Sequence, residues 1–187
     1  MELPEIEAVS NIVVTGLGGS AIGGDLLRVY TAGRMAVPVI VNRDYVLPEF
    51  VGPDTLVFAV SYSGNTEETL SAYEEARLRG ASVVAVTTGG RLGELAAVHI
   101  AESYRREKDH EQAADAFEAL RLSGRGGAQV YISLAKIYEH RFRQLDKALD
   151  IARRGMVYCL ENLPGNASAY EDLKRRYNRL IIRTGGK

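Results

Sequence analysis

Four short, valine-rich runs lie in the first half of this chain, and no comparable run follows them. The runs are NIVVTG (11–16), VPVIVN (37–42), TLVFAVS (55–61) and ASVVAVTT (81–88). Nearly continuous apolar segments bounded by Gly, Pro, Asn or Asp are typical of strands buried on both faces of a parallel sheet. Two segments of helical composition, Ala21 to Thr31 and Thr66 to Arg79, separate them, and residues 43–53 predict a loop. The alternation predicts an α/β open parallel sheet of four strands.

The second half has helical periodicity throughout, and part of it repeats. Two segments align at a spacing of 34 residues, with Ala101 on Ala135 and Tyr104 on Tyr138. This is the period of the tetratricopeptide (TPR) repeat, and the alanine three positions before a tyrosine, with Pro164 near the repeat end, resembles that family. The resemblance implies an all-α unit of TPR-like helical hairpins.

The last helix of this unit is expected from Ala169 to Arg183, so the repeats would cover about residues 99–183. Its four central basic residues predict that it forms the polar cap of the repeat array. These residues are Lys174, Arg175, Arg176 and Arg179.

The two halves also differ in charge. Residues 1–98 carry twelve acidic side chains against six arginines, whereas residues 99–187 carry seventeen lysines or arginines against twelve acids. We therefore expect two domains, an incomplete α/β domain (1–98) and a helical domain (99–187), of different origin. Because Arg91 to Glu107 can form one helix with no Gly- or Pro-rich linker, we interpret the chain as a chimera, or as a truncated natural protein.

Small and hydroxylated residues follow two of the four strands. Gly16, Gly18, Gly19 and Ser20 follow the first strand, and Ser61, Ser63, Gly64 and Thr66 follow the third. In an open parallel sheet, ligands bind beyond the carboxyl ends of the strands. Hydroxyls, glycines and the free N–H groups of a helix start are what a phosphate requires. The two loops therefore predict a phosphate site.

Two other interpretations of these loops stay open. Ser63 and Thr66 could simply cap the helix that follows, because Ser and Thr are preferred at that position. The segment from Gly16 to Ala21 also fits the G-x-G-x-x-A form of the dinucleotide fingerprint. That signal is weak, since Asn42 stands where an acidic residue would hold a ribose.

The motifs GLGGSAIGGDLL, SYSGNTEETL and GASVVAVTTGGRLGELA together resemble the sugar isomerase (SIS) domain, over about residues 8–98. Specifically, they resemble the first such domain of the bifunctional phosphoglucose/phosphomannose isomerases. The resemblance implies that Ser61, Ser63 and Thr66 hold the phosphate of a hexose 6-phosphate. It also implies that Gly18, Gly19 and Ser20 contact the sugar.

The chain departs from that family because the second SIS domain, which supplies the carboxylate base, is missing. The nearest acids are Glu67, Glu68 and Glu94, and the sequence assigns no catalytic residue. We therefore expect a sugar-phosphate-binding unit without full isomerase activity. Two alternatives are an active isomerase that takes its base from another subunit, and an interaction scaffold in which the repeats bind a peptide or protein.

Composition argues against several other classes of protein. One cysteine and three scattered histidines predict no metal site, and we expect no cofactor. No apolar run is long enough to cross a membrane and no signal peptide is recognisable, which favours a cytoplasmic protein. Charges alternate along the helices, so nucleic acid is not an expected partner. The first domain of the isomerase family has a fifth strand, for which this sequence shows no candidate. The strand edge that it would cover is expected to be exposed, which would favour a homodimer.

Overall fold

The computed structural model describes residues 9–163 and 167–185. Four strands and three helices alternate first, and four more helices follow. In chain order the elements are β1 (Asn11–Thr15), α1 (Gly18–Thr31), β2 (Val39–Asn42), β3 (Thr55–Val60), α2 (Glu67–Leu78), β4 (Ser82–Val86), α3 (Gly90–Arg106), α4 (His110–Leu122), α5 (Gly127–His140), α6 (Leu145–Asn162) and α7 (Ala167–Thr184).

The four strands form one parallel sheet in the order β2-β1-β3-β4, as the sequence predicts. Val13 pairs with Ile40 on one side and with Val57 on the other, and Val57 pairs in turn with Val83. Val13 and Val57 are fully buried because β1 and β3 are the two inner strands. Ala72 and Ala76 of α2 pack against this centre, where their small side chains let the helix lie close to the sheet.

The helices of this part differ from the sequence prediction in two details. Helix α1 begins at Gly18 rather than at Ala21, so the glycine loop itself forms the first turn of the helix. Leu78 is expected on the apolar side of α2, but it is 88% exposed. The buried face of α2 instead runs through Thr69, Ala72 and Tyr73, and Leu78 is the last residue of the helix.

The helical part has its own apolar core. Helix α4 packs on α5, α5 on α6 and α6 on α7. The residues predicted for the apolar stripe of α4 are all buried, namely Ala113, Ala114, Phe117 and Leu120. Cys159, predicted to be a core residue, is 2% exposed, and burial raises the pKa of its thiol. Pro164 lies outside the described residues.

One residue of the predicted polar cap is not on a solvated surface. Arg176 is only 7% exposed, and its guanidinium donates to the buried carboxylate of Glu139 on α5. A buried arginine requires such a partner because an unpaired charge is costly inside a protein. Lys174 and Arg175, by contrast, are exposed as predicted.

The chain divides into two compact units, Met1–Glu94 and Leu95–Lys187. The division falls within α3 rather than in a loop. Over residues 9–163 and 167–185, no helix has both the length and the apolar composition that crossing a bilayer requires.

Candidate functional site

The carboxyl ends of β1 and β2 are tied together by a buried amide. Asn42 donates from its Nδ2 atom to the Thr15 hydroxyl at 3.4 Å and to the backbone carbonyl of Asp44 at 2.9 Å. Both Asn42 and Thr15 are buried. This amide therefore fixes the end of the sheet, and it does not take the place of the ribose-binding carboxylate of a dinucleotide site.

Ser61 organises the loop that follows β3. Its backbone N–H donates to the carbonyl of Val86 at 3.0 Å, and its hydroxyl accepts from the backbone N–H of Gly64 at 3.1 Å. The same hydroxyl lies 2.8 Å from the hydroxyl of Thr66. A hydrogen bond between two hydroxyls uses only one of their two hydrogens. One hydroxyl hydrogen of this pair is therefore left to donate to another acceptor.

Thr66 occupies the cap position of α2, but it does not cap the helix. Its side chain makes no hydrogen bond to the N–H groups of the first turn, because it is directed to Ser61. Ser63 accepts from the N–H of Asn65 at 3.2 Å, which closes a turn before the helix starts. The capping interpretation of these hydroxyls is thus wrong for Thr66, and the start of α2 keeps N–H groups that no side chain satisfies.

The loop after β4, to which the sequence assigns no site residue, holds this turn in place. The backbone N–H of Leu92 donates to the carbonyl of Gly64 at 2.9 Å, and that of Arg91 donates to Oδ1 of Asn65 at 3.0 Å. Gly64 has a φ of +70°, and a Cβ atom there would lie 1.9 Å from the carbonyl oxygen of Gly89. The pair Gly89-Gly90, in the short loop between β4 and α3, is the sequence signal for a close approach of the backbone here.

The glycine loop after β1 lies against the same edge of the sheet. A Cβ atom on Gly16 would be 2.7 Å from the carbonyl oxygen of Val60 and 3.1 Å from Cβ of Ser20. Glycine at this position therefore brings the start of α1 next to the end of β3. Gly18 and Gly19 are exposed in the first turn of α1, and Ser20 is partly exposed.

Helix α1 also presents an uncapped N-terminus. Leu17 stands at its cap position and cannot accept from the helix, and the first turn carries no acidic residue. The helix dipole and free N–H groups of such a terminus favour an anion. The structure thus brings two uncapped helix starts and the Ser61–Thr66 hydroxyl pair to one edge of the sheet.

Acidic side chains lie beside this edge as well. Glu67 and Glu68 are in the first turn of α2, and the hydroxyl of Tyr45 lies 3.5 Å from Oε2 of Glu67. The charge of Glu68 raises the pKa of the Tyr45 hydroxyl, with smaller effects from burial and Glu67. Glu94 is exposed on α3. Arg43 forms an ion pair with Asp25, which connects the end of β2 to α1.

These acids do not make a metal site. Among residues 9–163 and 167–185, no group of three His, Cys, Asp or Glu side chains is arranged to hold a metal ion.

Comparison with known proteins identifies the part of the chain that carries these loops. The sequence model of the SIS domain family matches residues 5–119, more than half of the chain. The match continues past residue 98, where the sequence prediction places the domain boundary, and includes most of α4.

Two curated relatives are both bifunctional phosphoglucose/phosphomannose isomerases. The one from Caldicellulosiruptor bescii is 62% identical over 90 residues, which are 48% of this chain and 26% of the relative. The one from Thermoplasma acidophilum is 57% identical over 86 residues, which are 46% of this chain and 27% of the relative. The matched segment thus spans about a quarter of the length of these relatives.

Among solved structures, this chain is similar to a protein from Bacillus subtilis described as a putative phosphosugar isomerase. The alignment covers 82% of this chain and 52% of the Bacillus subtilis chain. The TM-score of this alignment is 0.40 and the sequence identity is 18%.

Proposed function

This chain belongs to the SIS domain family, and we propose that its α/β unit binds the phosphate of a hexose 6-phosphate. Ser61, Ser63 and Thr66 would hold the phosphate, and Gly18, Gly19 and Ser20 would contact the sugar. The observation that carries the proposal is the bond between the Ser61 and Thr66 hydroxyls, 2.8 Å apart. It takes Thr66 away from the helix cap, so that a hydroxyl hydrogen and the N–H groups of α2 are both available to an anion.

Several features support a sugar phosphate over other anions. The relatives named above act on phosphoglucose and phosphomannose according to their names. The glycine turn at Gly18 and Gly19 is exposed, which leaves room for a sugar beside the phosphate. Carboxylates in the first turn of α2 can accept from sugar hydroxyls, and they disfavour a ligand with negative charges beyond those on the phosphate.

We propose that this unit binds without completing the isomerisation. Moving a proton between two carbons of an aldose requires a general base within hydrogen-bond reach of that proton. Glu67 and Glu68 lie on the helix that would hold the phosphate, and Glu94 is exposed. The chimeric origin of the chain is part of this proposal, with the helical unit formed by TPR-like hairpins. In its support, the repeat-related Ala101 and Ala135 are both fully buried.

Calorimetric titration with fructose 6-phosphate tests the binding proposal. The Ser61→Ala, Ser63→Ala double variant should lose binding, because it removes two of the hydroxyls around the phosphate. Ser71→Ala is a matched control, since Ser71 is exposed on α2 itself, away from the loop. Equal affinity in the double variant and in the wild type would contradict the proposal, as would binding of fructose as tight as that of fructose 6-phosphate.

A second candidate function is an active isomerase formed by two chains, with the base supplied by the partner. The outward side of α1 favours this candidate, because four large apolar side chains are exposed there. They are Ile22, Leu26, Val29 and Tyr30, which are between 58% and 67% exposed. Such a patch is typical of an association surface. Conversion of fructose 6-phosphate to glucose 6-phosphate by a dimer, abolished when Leu26→Glu makes the protein monomeric, would establish this function.

A further inference from the structure

One end of the helical unit concentrates arginines around a single buried carboxylate. The side chain of Glu139 on α5 is completely buried. It accepts from three arginines of α7, namely Arg176 at 2.5 Å, Arg179 at 2.8 Å and Arg183 at 2.8 Å. One negative charge thus faces three positive ones. Since a single carboxylate is satisfied by one bidentate arginine with a further donor, the cluster holds more positive charge than Glu139 requires.

A cavity opens beside this cluster. It has a volume of about 400 Å³, and its walls are Glu139, His140, Arg143, Leu145 and Arg183. A second cavity of about 510 Å³ shares Arg143 and Leu145 with the first and extends to Asp146, Lys147 and Thr184. Cavities of this size are in the range that holds a small metabolite.

The arginines in these walls keep donors that the protein does not use. A guanidinium has five N–H donors. The side chain of Arg183 is 46% exposed, and one of its nitrogens bonds to Glu139. Arg143, in the loop between α5 and α6, is exposed and takes part in none of the ion pairs found over residues 9–163 and 167–185. Both arginines therefore have N–H groups available to a ligand in the cavity.

The start of α6 adds backbone donors to the same walls. Gln144 is at its cap position, and its side chain makes no hydrogen bond to the helix. The first helical residues, Leu145 to Lys147, line the cavities. Their free N–H groups, the positive end of the helix dipole and the ammonium group of Lys147 all favour an anion. The carboxylate of Asp146 is exposed, so solvent screens its opposing charge.

We propose that this end of the helical unit, bounded by α5, α6 and α7, binds a phosphate group of a small molecule such as a phosphate monoester or pyrophosphate. Arg143 and Arg183 would donate to the phosphate oxygens from two sides, and the start of α6 would donate from a third. Planar guanidinium groups together with backbone N–H groups match a tetrahedral dianion better than they match a single carboxylate. Glu139 positions the α7 arginines and does not contact the ligand. The site is independent of the hexose-phosphate site proposed for the α/β unit.

Titration of the full, ¹⁵N-labelled chain with inorganic phosphate, and separately with pyrophosphate, tests this site by NMR. Saturable shifts of the amide signals of Leu145, Asp146 and Lys147 are expected. Arg143→Gln should weaken this binding about tenfold, which is the usual effect of losing one charge-assisted hydrogen bond. This variant is informative on its own, because Arg143 supports no other described residue through an ion pair. The Arg143→Gln, Arg183→Gln double variant should abolish saturation.

Two controls separate this site from other causes. Arg175→Gln removes the same charge from an exposed position of α7, outside the cavity walls. The Ser61→Ala, Ser63→Ala variant removes the site proposed in the α/β unit and should leave the shifts at Leu145 to Lys147 unchanged. The proposal is overturned if these amides show no saturable shift, if Arg175→Gln weakens binding as much as Arg143→Gln does, or if the serine variant abolishes the shifts.

Discussion

The hydroxyl of Ser61 lies 2.8 Å from the hydroxyl of Thr66, and this bond leaves the N-terminus of α2 without a side-chain cap. A threonine cap normally stabilises a helix by about 1 kcal/mol. Here that contribution is absent, and the same helix start is free to bind an anion. In the proposed function, the start of α2 lacks the stabilisation that a cap would give and instead binds the phosphate.

Thr66→Val should weaken binding of fructose 6-phosphate about tenfold, because one hydroxyl donor to the phosphate is lost while the shape of the side chain is kept. The free energy of unfolding should fall by only about 1 kcal/mol, the usual contribution of the one hydrogen bond to Ser61 that is lost, since Thr66 does not cap α2. Thr66→Ser is the control and should bind like the wild type. Calorimetry gives the affinity and urea denaturation the stability. A large loss of stability without loss of affinity would show that the hydroxyl is structural.

Gly64→Ala should prevent the loop after β3 from forming, and should abolish sugar-phosphate binding. An added Cβ atom would be 1.9 Å from the carbonyl oxygen of Gly89. The oxygen belongs to the backbone and the Cβ atom is bonded directly to Cα, so neither can move away easily. Gly33→Ala is the matched control. Gly33 also has a positive φ, of +75°, but no atom lies within 4 Å of the added carbon.

The control should therefore cost only the strain of a left-handed residue, about 1 kcal/mol. Thermal unfolding and calorimetry on both variants distinguish the backbone strain of a positive φ, which both share, from the steric clash with Gly89, which only Gly64→Ala has. Similar stability and binding for the two would refute the close approach of the loops.

Gly155→Ala on α6 should destabilise the protein by about 1–3 kcal/mol, as overpacking usually does. The new methyl group would be 2.7 Å from Cβ of Tyr131 and 2.9 Å from Cδ1 of Leu173, so α5 and the side chain of Leu173 on α7 would have to shift. Gly23→Ala on α1 should act in the opposite direction. Gly23 has no neighbour within 4 Å of an added carbon, and alanine is favoured over glycine in a helix by about 1 kcal/mol. Denaturant unfolding of the two variants measures both effects.

Glu139→Gln should destabilise the protein by about 3 kcal/mol, the lower end of the cost of removing one member of a buried ion pair. Arg176 would be left buried without its anion, whereas Arg179 and Arg183 are about half exposed and can turn to solvent. Glu161→Gln, at an exposed position of α6, should have almost no effect. If both variants unfold at the same urea concentration, the ion cluster contributes nothing to stability.

The contribution of Glu139 should also depend on pH. Burial alone would raise the pKa of Glu139, but the hydrogen bonds and charges of Arg179, His140 and Arg176 outweigh it and hold the pKa below its ordinary value of 4.5. A carboxyl group whose pKa is lowered by folding contributes stability above its ordinary pKa and loses that contribution as the pH falls through the folded value.

The difference in unfolding free energy between the wild type and Glu139→Gln should therefore shrink as the pH falls below about 5. Denaturation curves over this range measure it. A difference that grows as the pH falls would contradict the lowered pKa.

The strands and the polar loops could be predicted from the sequence because each is a local pattern. The valine-rich runs around Val13 and Val57 needed no information on distant contacts to indicate a parallel sheet. The prediction for Leu78 was wrong because the apolar type of a residue does not tell whether the last position of a helix packs against anything. The prediction for Arg176 was wrong because its partner, Glu139, is 37 residues away in the sequence. The contact between Gly64 and Gly89 is also set by tertiary packing, so the pair Gly89-Gly90 indicates a tight turn in the sequence but does not identify Gly64 as its neighbour.

Burial of Cys159 has a practical consequence. It is the only cysteine in the chain, and its side chain is enclosed in the core of the helical unit. A thiol reagent can reach it only when α6 opens, and burial keeps the thiol in its unreactive protonated form. The rate of labelling by such a reagent in the native protein therefore measures opening of the helical unit alone. Opening of the α/β unit produces no labelling, because that unit has no cysteine. Cys159 thus allows the stability of the helical unit to be measured separately, without any added label site.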